Sequence, residues 1–341
     1  PLWEMHLIEG LSDGRYAAYF KVHHALVDGV SALRLLNRMM SFDPDERDMK
    51  PPWAVLPRSR RPRDSSSPLD GARDAVRLLG EAAGLGPAFA RTVQRALREQ
   101  TGTMSLSAPK SMFNVPITGA RRFAAQSWPM ERIRRVGKAT DTTLNDVVLA
   151  MCAGALRRYL IGMDALPDAP LIAMVPVSLR GEDTGTGDGG NAVGTVMCNL
   201  ATHLGDPGER LTAINRSMQD GKDALKSMTP TQILLMSAIG ISPLAILPAL
   251  GLTGTVRPPF NLVISNVPGP REPLYWNGAR LDGLYPLSIP LDGQAVNITC
   301  TSYSHEIAFG LTGCRRTVPH LQHLLGYLGD EIDALEEVAG V

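Results

Sequence analysis

The sequence predicts an α/β protein organised on a mixed β-sheet, and three observations lead there. Short apolar or alternating runs rich in β-branched residues recur along the chain, segments of helical period separate them, and Gly, Pro and polar turns punctuate both. The 341 residues are enough for a sizeable core and about two domains. A hydrophobic share of 44% against 20% charged residues describes a globular chain. Lys+Arg and Asp+Glu both total 34, so no net field draws the whole protein to nucleic acid. Cys152, Cys198, Cys300 and Cys314 lie far apart in apolar or strand-like contexts, which predicts buried free thiols of a reducing compartment. The opening "PLWEMHLIEGLSDG" has no basic or sustained apolar leader region and no initiator Met, so the expectation is a start internal to a longer protein.

In order along the chain, "WEMHLIEGL", "SDG" and "RYAAYFKVHH" read as two strands about a turn. From Gly29, apolar Val30, Leu33, Leu36 and Met40 recur with Arg34, Asn37 and Arg38 between them, a helix with one buried face. Phe42 to Asp70 is rich in Pro, Arg and Ser without periodicity, a linker whose Arg58, Arg60, Arg61 and Arg63 either form a solvated run or meet phosphates. A helix pair around "GEAAGLGP" follows, up to Gln100. A strand is expected over Arg121 to Trp128 and a helix over Glu131 to Thr140. "TTLNDVVLAMCAGALRRYL" is a strong helix: Leu144, Val147, Val148, Met151 and Leu156 form its apolar face, and Thr143 with Asp146 resembles a capping box. "PLIAMVPVSL" and "NAVGTVMCNLATHL" read as buried strands flanking a glycine-rich loop; "FNLVISNVP", "QAVNITCTSYS" and "HEIAFGLTGC" read as further strands. A helix over Val318 to Val338 closes the chain.

Several chemistries fail on spacing. Side chains of adjacent strand residues point to opposite faces, so His23 and His24 do not share a metal, and apart from His320 and His323 the remaining histidines form no cluster; no metal is expected. Gly185, Gly187 and Gly190 satisfy G-x-G-x-x-G, but a strand-like run follows where a dinucleotide site needs a helix N-terminus. No G-x-S-x-G occurs, and nothing near Cys152 or Cys198 suggests a His-paired thiol. What remains is "KVHHALVDGV", where a strand end delivers a histidine whose ordinary pKa suits a general base. A structural histidine is the alternative. Alternation leaves at most one of the pair for catalysis.

"HHALVDG", His23 to Gly29, resembles the H-H-x-x-x-D-G signature of CoA-dependent acyltransferases, shared with chloramphenicol acetyltransferase-like enzymes and peptide-synthetase condensation domains. "PLWE" at 1–4, "LND" at 144–146, "PVSLR" at 176–180, "GN" at 190–191 and "NLVISNVPGP" at 261–270 follow in the order shown by bacterial wax ester synthase/diacylglycerol acyltransferases, to which the chain is similar. The resemblance implies a chloramphenicol acetyltransferase-like, two-subdomain mixed-sheet sandwich with an incomplete N-terminal subdomain. Residues 1–62 would be its remainder, 63–118 linker and crossover helices, and 119–341 the C-terminal subdomain, with the active site in a tunnel between the halves. It implies His24 as general base for an acceptor hydroxyl attacking an acyl-CoA thioester, without an acyl-enzyme, and His23 as structural support. It further implies Asp28, next to Gly29, as an anchor paired with Arg180. Asn261, Ser265 and Asn266 are candidates to line the site near the oxyanion, and Asn145 and Asp146 match the Asn-Asp motif, although capping explains Asp146 almost as well.

The implied co-substrate is acyl-CoA, with no cofactor, and the acceptor is diacylglycerol or a fatty alcohol. Transfer to another hydroxyl or amine, or a non-catalytic lipid-binding relative, are the competing readings. Ile233 to Leu252, "ILLMSAIGISPLAILPALGL", carries no charge and is long enough to span a bilayer, but Pro243 and Pro248 interrupt it. It reads as a buried broken helix, a lipid-facing or tunnel-mouth segment, or a membrane span. The expected location is cytoplasmic with peripheral contact to membrane or lipid droplets, and a homodimer is a further expectation.

Overall fold

The computed structural model describes residues 2–23, 26, 29–51, 54, 108–178 and 193–341. In chain order the elements are β1 (Trp3–Ile8), β2 (Ala17–Val22), α1 (Gly29–Met39), β3 (Arg121–Pro129), α2 (Met130–Ala139), α3 (Leu144–Gly162), β4 (Ile172–Ser178), β5 (Val193–Asn199), α4 (Pro207–Lys226), α5 (Pro230–Ile241), α6 (Pro243–Ala249), β6 (Leu262–Val267), β7 (Tyr275–Trp276), β8 (Ala279–Arg280), β9 (Val296–Tyr303), β10 (Glu306–Cys314) and α7 (His323–Ala339). They group into two compact units: residues 1–59, 267–284 and 302–304 in the first, and the remainder in the second. Of the expected linker, residues 42–51 and 54 are described; the rest of it, the helix pair before Gln100 and the glycine-rich loop lie outside the described residues.

In the first unit β1 and β2 form an antiparallel hairpin with Trp3 opposite Val22, Met5 opposite Phe20 and Leu7 opposite Ala18. That register gathers Trp3, Met5, Leu7, Phe20 and Val22 on one face and sets the Glu4–Lys21 ion pair on the other. The helix α1 follows, and Met39 near its end is buried. Beyond it Ser41 and Tyr275 exchange backbone hydrogen bonds of 2.8 and 2.7 Å. The Tyr303 hydroxyl donates to the Leu281 carbonyl and accepts from the Leu274 amide, which anchors the segment 267–284 in this unit.

The second unit is built on a six-stranded mixed sheet in the order β3-β10-β9-β6-β4-β5. β3 and β10 are antiparallel, as are β4 and β5, whereas β4 and β6 are parallel with Ala173 opposite Leu262. Period-two alternation sends Ala173, Val175, Val196, Cys198, Leu262, Ile264, Val296 and Ile298 to one face, where α2, α3, α4 and α7 cover them in the main core. The helix α3 sits at the centre of that layer. Sequence spacing suggested one apolar face, but Asp146 to Leu156 are buried without interruption, because α3 packs between the sheet and α2, α4 and α7. Gly154 makes this approach feasible, since a Cβ there would meet the Glu331 carboxylate carbon at 1.9 Å. Glu331 in turn pairs with Arg210, and both are buried.

A smaller cluster of Ala108, Ile172, Met174, Met197 and Phe260 lies on the opposite sheet face. The charge-free stretch beginning at Ile233 is a helix broken at Ser242 into α5 and α6, as its prolines suggested. Ile233 joins the main core, while Ser237 accepts a hydrogen bond from Thr195 at 3.2 Å and Leu244 packs on the smaller cluster. The segment therefore wraps around the edge strand β5. Among the described residues no helix is long and apolar enough to cross a membrane. The closing helix begins at His323 rather than Val318, because His320 takes a left-handed φ of 53° just after Pro319.

Candidate active site

Of the acid–base constellation, His24, Asp28 and Arg180 lie outside the described residues. The structure describes His23, Leu26 and Gly29 of the first motif. The His23 amide donates to the Leu2 carbonyl at 2.8 Å and the Leu26 amide to the His23 carbonyl at 2.9 Å, so the hairpin closes at His23. Gly29 begins α1, and a Cβ there would touch Val267 of the "SNVPGP" motif at 3.5 Å. Two motifs separated by more than half of the chain thus meet within the first unit.

In the second unit the Asn-Asp motif opens α3. Thr143 Oγ1 accepts from the Asp146 amide at 3.2 Å, and Asp146 Oδ2 accepts from the Thr143 amide at 2.9 Å, a reciprocal capping box. The same oxygen accepts from Asn215 Nδ2 at 2.9 Å, and the residue is 1% exposed. Asp146 is thereby turned into the protein and used for capping. Its neighbour Asn145 stays half-buried, and its Oδ1 accepts from Asn266 Nδ2 at 3.3 Å. Leu262 and Ile264 face the main core, so alternation carries Asn266 to the same face, where the first turn of α3 begins.

Asn261 has another task. Its Oδ1 accepts from the Ile172 amide at 2.8 Å, and its Nδ2 donates to the Pro109 carbonyl at 2.8 Å and to Asn114 Oδ1 at 2.7 Å. Fully buried, with both Nδ2 donors and one Oδ1 lone pair engaged, its side chain fastens the start of β6 to the start of β4. Ser265 points to the sheet face opposite the main core. On that face β9 presents Asn297, Thr299 and Thr301, which sequence reasoning had not singled out. Thr299 Oγ1 donates to Ser288 Oγ at 2.8 Å, or to Asn297 Oδ1 at 2.9 Å, giving a band of uncharged hydroxyl and amide groups. The signal was present in "VNITCTSY", whose polar positions alternate with Val296, Ile298 and Cys300.

The thiols offer no competing nucleophile. Burial pushes Cys198 up to about 12 and raises Cys300 as well. At Cys314, burial is outweighed by hydrogen bonds from Thr317 and Thr118 that hold the thiol at about 6, but the side chain is 0% exposed and out of reach of a substrate. His320 and His323 stack at 5.2 Å, and among the described residues no group of three potential ligands gathers around a metal position.

The catalytic-domain model of wax ester synthase/diacylglycerol acyltransferases matches residues 1–148, and the C-terminal-domain model of the same group matches residues 189–336. A Mycobacterium tuberculosis protein named as a probable diacylglycerol O-acyltransferase, tgs2, is 51% identical over 343 residues, covering all of this chain and 75% of its own length. The chain belongs to the wax ester synthase/diacylglycerol acyltransferase family. A solved wax ester synthase/diacylglycerol acyltransferase from Marinobacter aquaeolei VT8 superposes with a TM-score of 0.75 at 44% identity, over all of this chain and 73% of that one. The starter condensation domain of rhizomide synthetase, 14% identical with a TM-score of 0.52, shares the fold alone and covers 70% of its own length. The family assignment thus joins both units, and the mixed-sheet architecture is that of the condensation-domain, chloramphenicol acetyltransferase-like class.

Proposed function

We propose that the protein transfers an acyl group from acyl-CoA to the hydroxyl of diacylglycerol or a long-chain alcohol, giving triacylglycerol or a wax ester and free CoA. The observation that carries this reading is the intact "HHALVDG" at the junction of β2 and α1, inside a chain 51% identical over its whole length to a probable diacylglycerol O-acyltransferase. His24 takes the acceptor proton as the oxygen attacks the thioester carbonyl. The tetrahedral intermediate then expels the CoA sulfur, which receives that proton. Asp28 and Arg180 pair to hold the loop that aims His24. Alternation sends Ser265 and Asn266 to opposite sheet faces, so one of the two supplies the uncharged donor near the developing oxyanion; Asn266 is the one bonded to Asn145. Acyl-CoA is a co-substrate and no cofactor takes part. The protein works as a peripheral partner of membranes or lipid droplets, and a homodimer is the proposed assembly.

The test is release of CoA thiol from palmitoyl-CoA with hexadecanol, with diolein and with no acceptor, for the parent chain and His24→Ala. Acceptor-dependent release that falls by about 10²–10⁴ in the variant is the expected result. Release that survives His24→Ala removes the base assignment, and acceptor-independent or absent release removes the transfer reaction.

A further inference from the structure

The stretch from Ile241 to Arg257 carries an apolar surface that the transfer chemistry does not use. In α6, Leu244 packs on the smaller core cluster and Leu247 lines a small cavity, whereas Ile246 is 51% exposed and Leu250 just beyond the helix is 65% exposed. Ile241, Leu252 and Val256 are exposed as well, so five large apolar side chains share one short segment at the surface. Clusters of this kind mark contact sites.

The surrounding charge indicates the partner. From Ala224 to Arg271 the sequence contains no Asp or Glu, and its charged residues are Lys226, Arg257 and Arg271. Exposed Lys110 joins the same surface, donating from Nζ to the Thr255 carbonyl at 2.7 Å. A cavity of about 460 Å³ opens beside it, walled by Met112, Leu166, Val256 and Pro258. The carboxylates near it are Asp292, whose Oδ1 accepts from the Ile117 amide at 2.8 Å, and the exposed Asp164 and Asp168, which flank the cavity residues Ala165 to Pro167. An apolar tip on a segment free of acidic residues, with the cations Lys110 and Arg257 beside it, matches the interface of an anionic phospholipid membrane, where apolar side chains enter the acyl boundary and cations meet phosphates.

We propose that the surface of Ile241, Ile246, Leu250, Leu252 and Val256, with Lys110 and Arg257, docks the protein on an anionic phospholipid membrane. This rests on the peripheral-association part of the proposed function and names the surface responsible. The two α-helical pieces act as a wedge: α5 fixes the segment to the sheet edge, and α6 presents its outer side to lipid.

Flotation of the full chain with phosphatidylcholine vesicles, with and without phosphatidylglycerol, tests it. The parent is expected to float with the anionic vesicles and less with the neutral ones. Ile246→Glu with Leu250→Glu is expected to weaken binding by on the order of a hundredfold, about tenfold for each apolar side chain withdrawn from lipid. Arg257→Glu is expected to remove only the preference for anionic vesicles. Flotation of the double variant equal to the parent overturns the surface, and absence of parent flotation overturns peripheral association itself. Transfer from palmitoyl-CoA to hexadecanol in detergent, measured in parallel, reports separately on the catalytic reading. As a second measurement, a bimane label on Leu250→Cys is expected to shift blue on adding anionic vesicles, while one on Val338→Cys in the helical layer is not; a blue shift at 338 alone overturns the proposal.

Discussion

Replacing Asn261 with alanine separates a structural amide from a substrate-binding one. The side chain makes three hydrogen bonds, to the Ile172 amide, the Pro109 carbonyl and Asn114 Oδ1, and it is 0% exposed. Removing it strands one buried donor and two acceptors, each costing about 1–1.5 kcal/mol, or roughly 3–4 kcal/mol together. For a unit of this size that corresponds to a fall in Tm of roughly 6–15 °C. Asn261→Asp sharpens the comparison. It keeps the shape and the acceptor toward Ile172, but it turns the donor into an acceptor facing the Pro109 carbonyl and Asn114 Oδ1, so a comparable loss is expected. The assay is urea unfolding followed by far-ultraviolet circular dichroism, with CoA release measured at a temperature where both variants are folded. A variant that unfolds with the parent yet has lost transfer would refute the structural reading and return Asn261 to the substrate.

Two other perturbations follow from the helical layer. Gly154→Ala gains helix propensity of about 1 kcal/mol in isolation, but here the new methyl meets the Glu331 carboxylate and forces apart a buried pair with Arg210; a net loss of roughly 2 kcal/mol or more, read as a lower urea midpoint, is expected. Glu336 accepts hydrogen bonds from Arg132, which hold its carboxyl below the usual range. A lowered native pKa gives stability that is full above the unfolded carboxylate value and lost as pH falls through the native one. Glu336→Gln should therefore cost about 1 kcal/mol at neutral pH, and the gap in Tm to the parent should close toward the acid end.

Much of the fold was legible because its signals are local. The capping box of Thr143 and Asp146 lies within four residues, and Pro243 at the first position of α6 announces the break from α5. The two-residue strands β7 and β8 carry no period to read, and exist through the Ser41–Tyr275 pairing across the first unit. Which side of α6 faces protein could not be read, since Leu244, Ile246, Leu247 and Leu250 are alike apolar and only the position of the smaller core decides among them. Asn261 sits in a site-like motif, and its true partners Pro109 and Asn114 are about 150 residues away in sequence, beyond any spacing rule. The motif containing His24 was readable from residue order alone, and its chemistry came from the family pattern rather than from geometry.

Strand β6 also acts as a ruler. Its first residue is locked by the parallel register to Ala173, and its fifth reaches Asn145 at the start of α3. Inserting one residue between Leu262 and Asn266 would turn Asn266 to the opposite sheet face. Length changes that a surface loop absorbs are therefore closed to this strand. Variation within the family is expected to alter its side chains while leaving its residue count fixed.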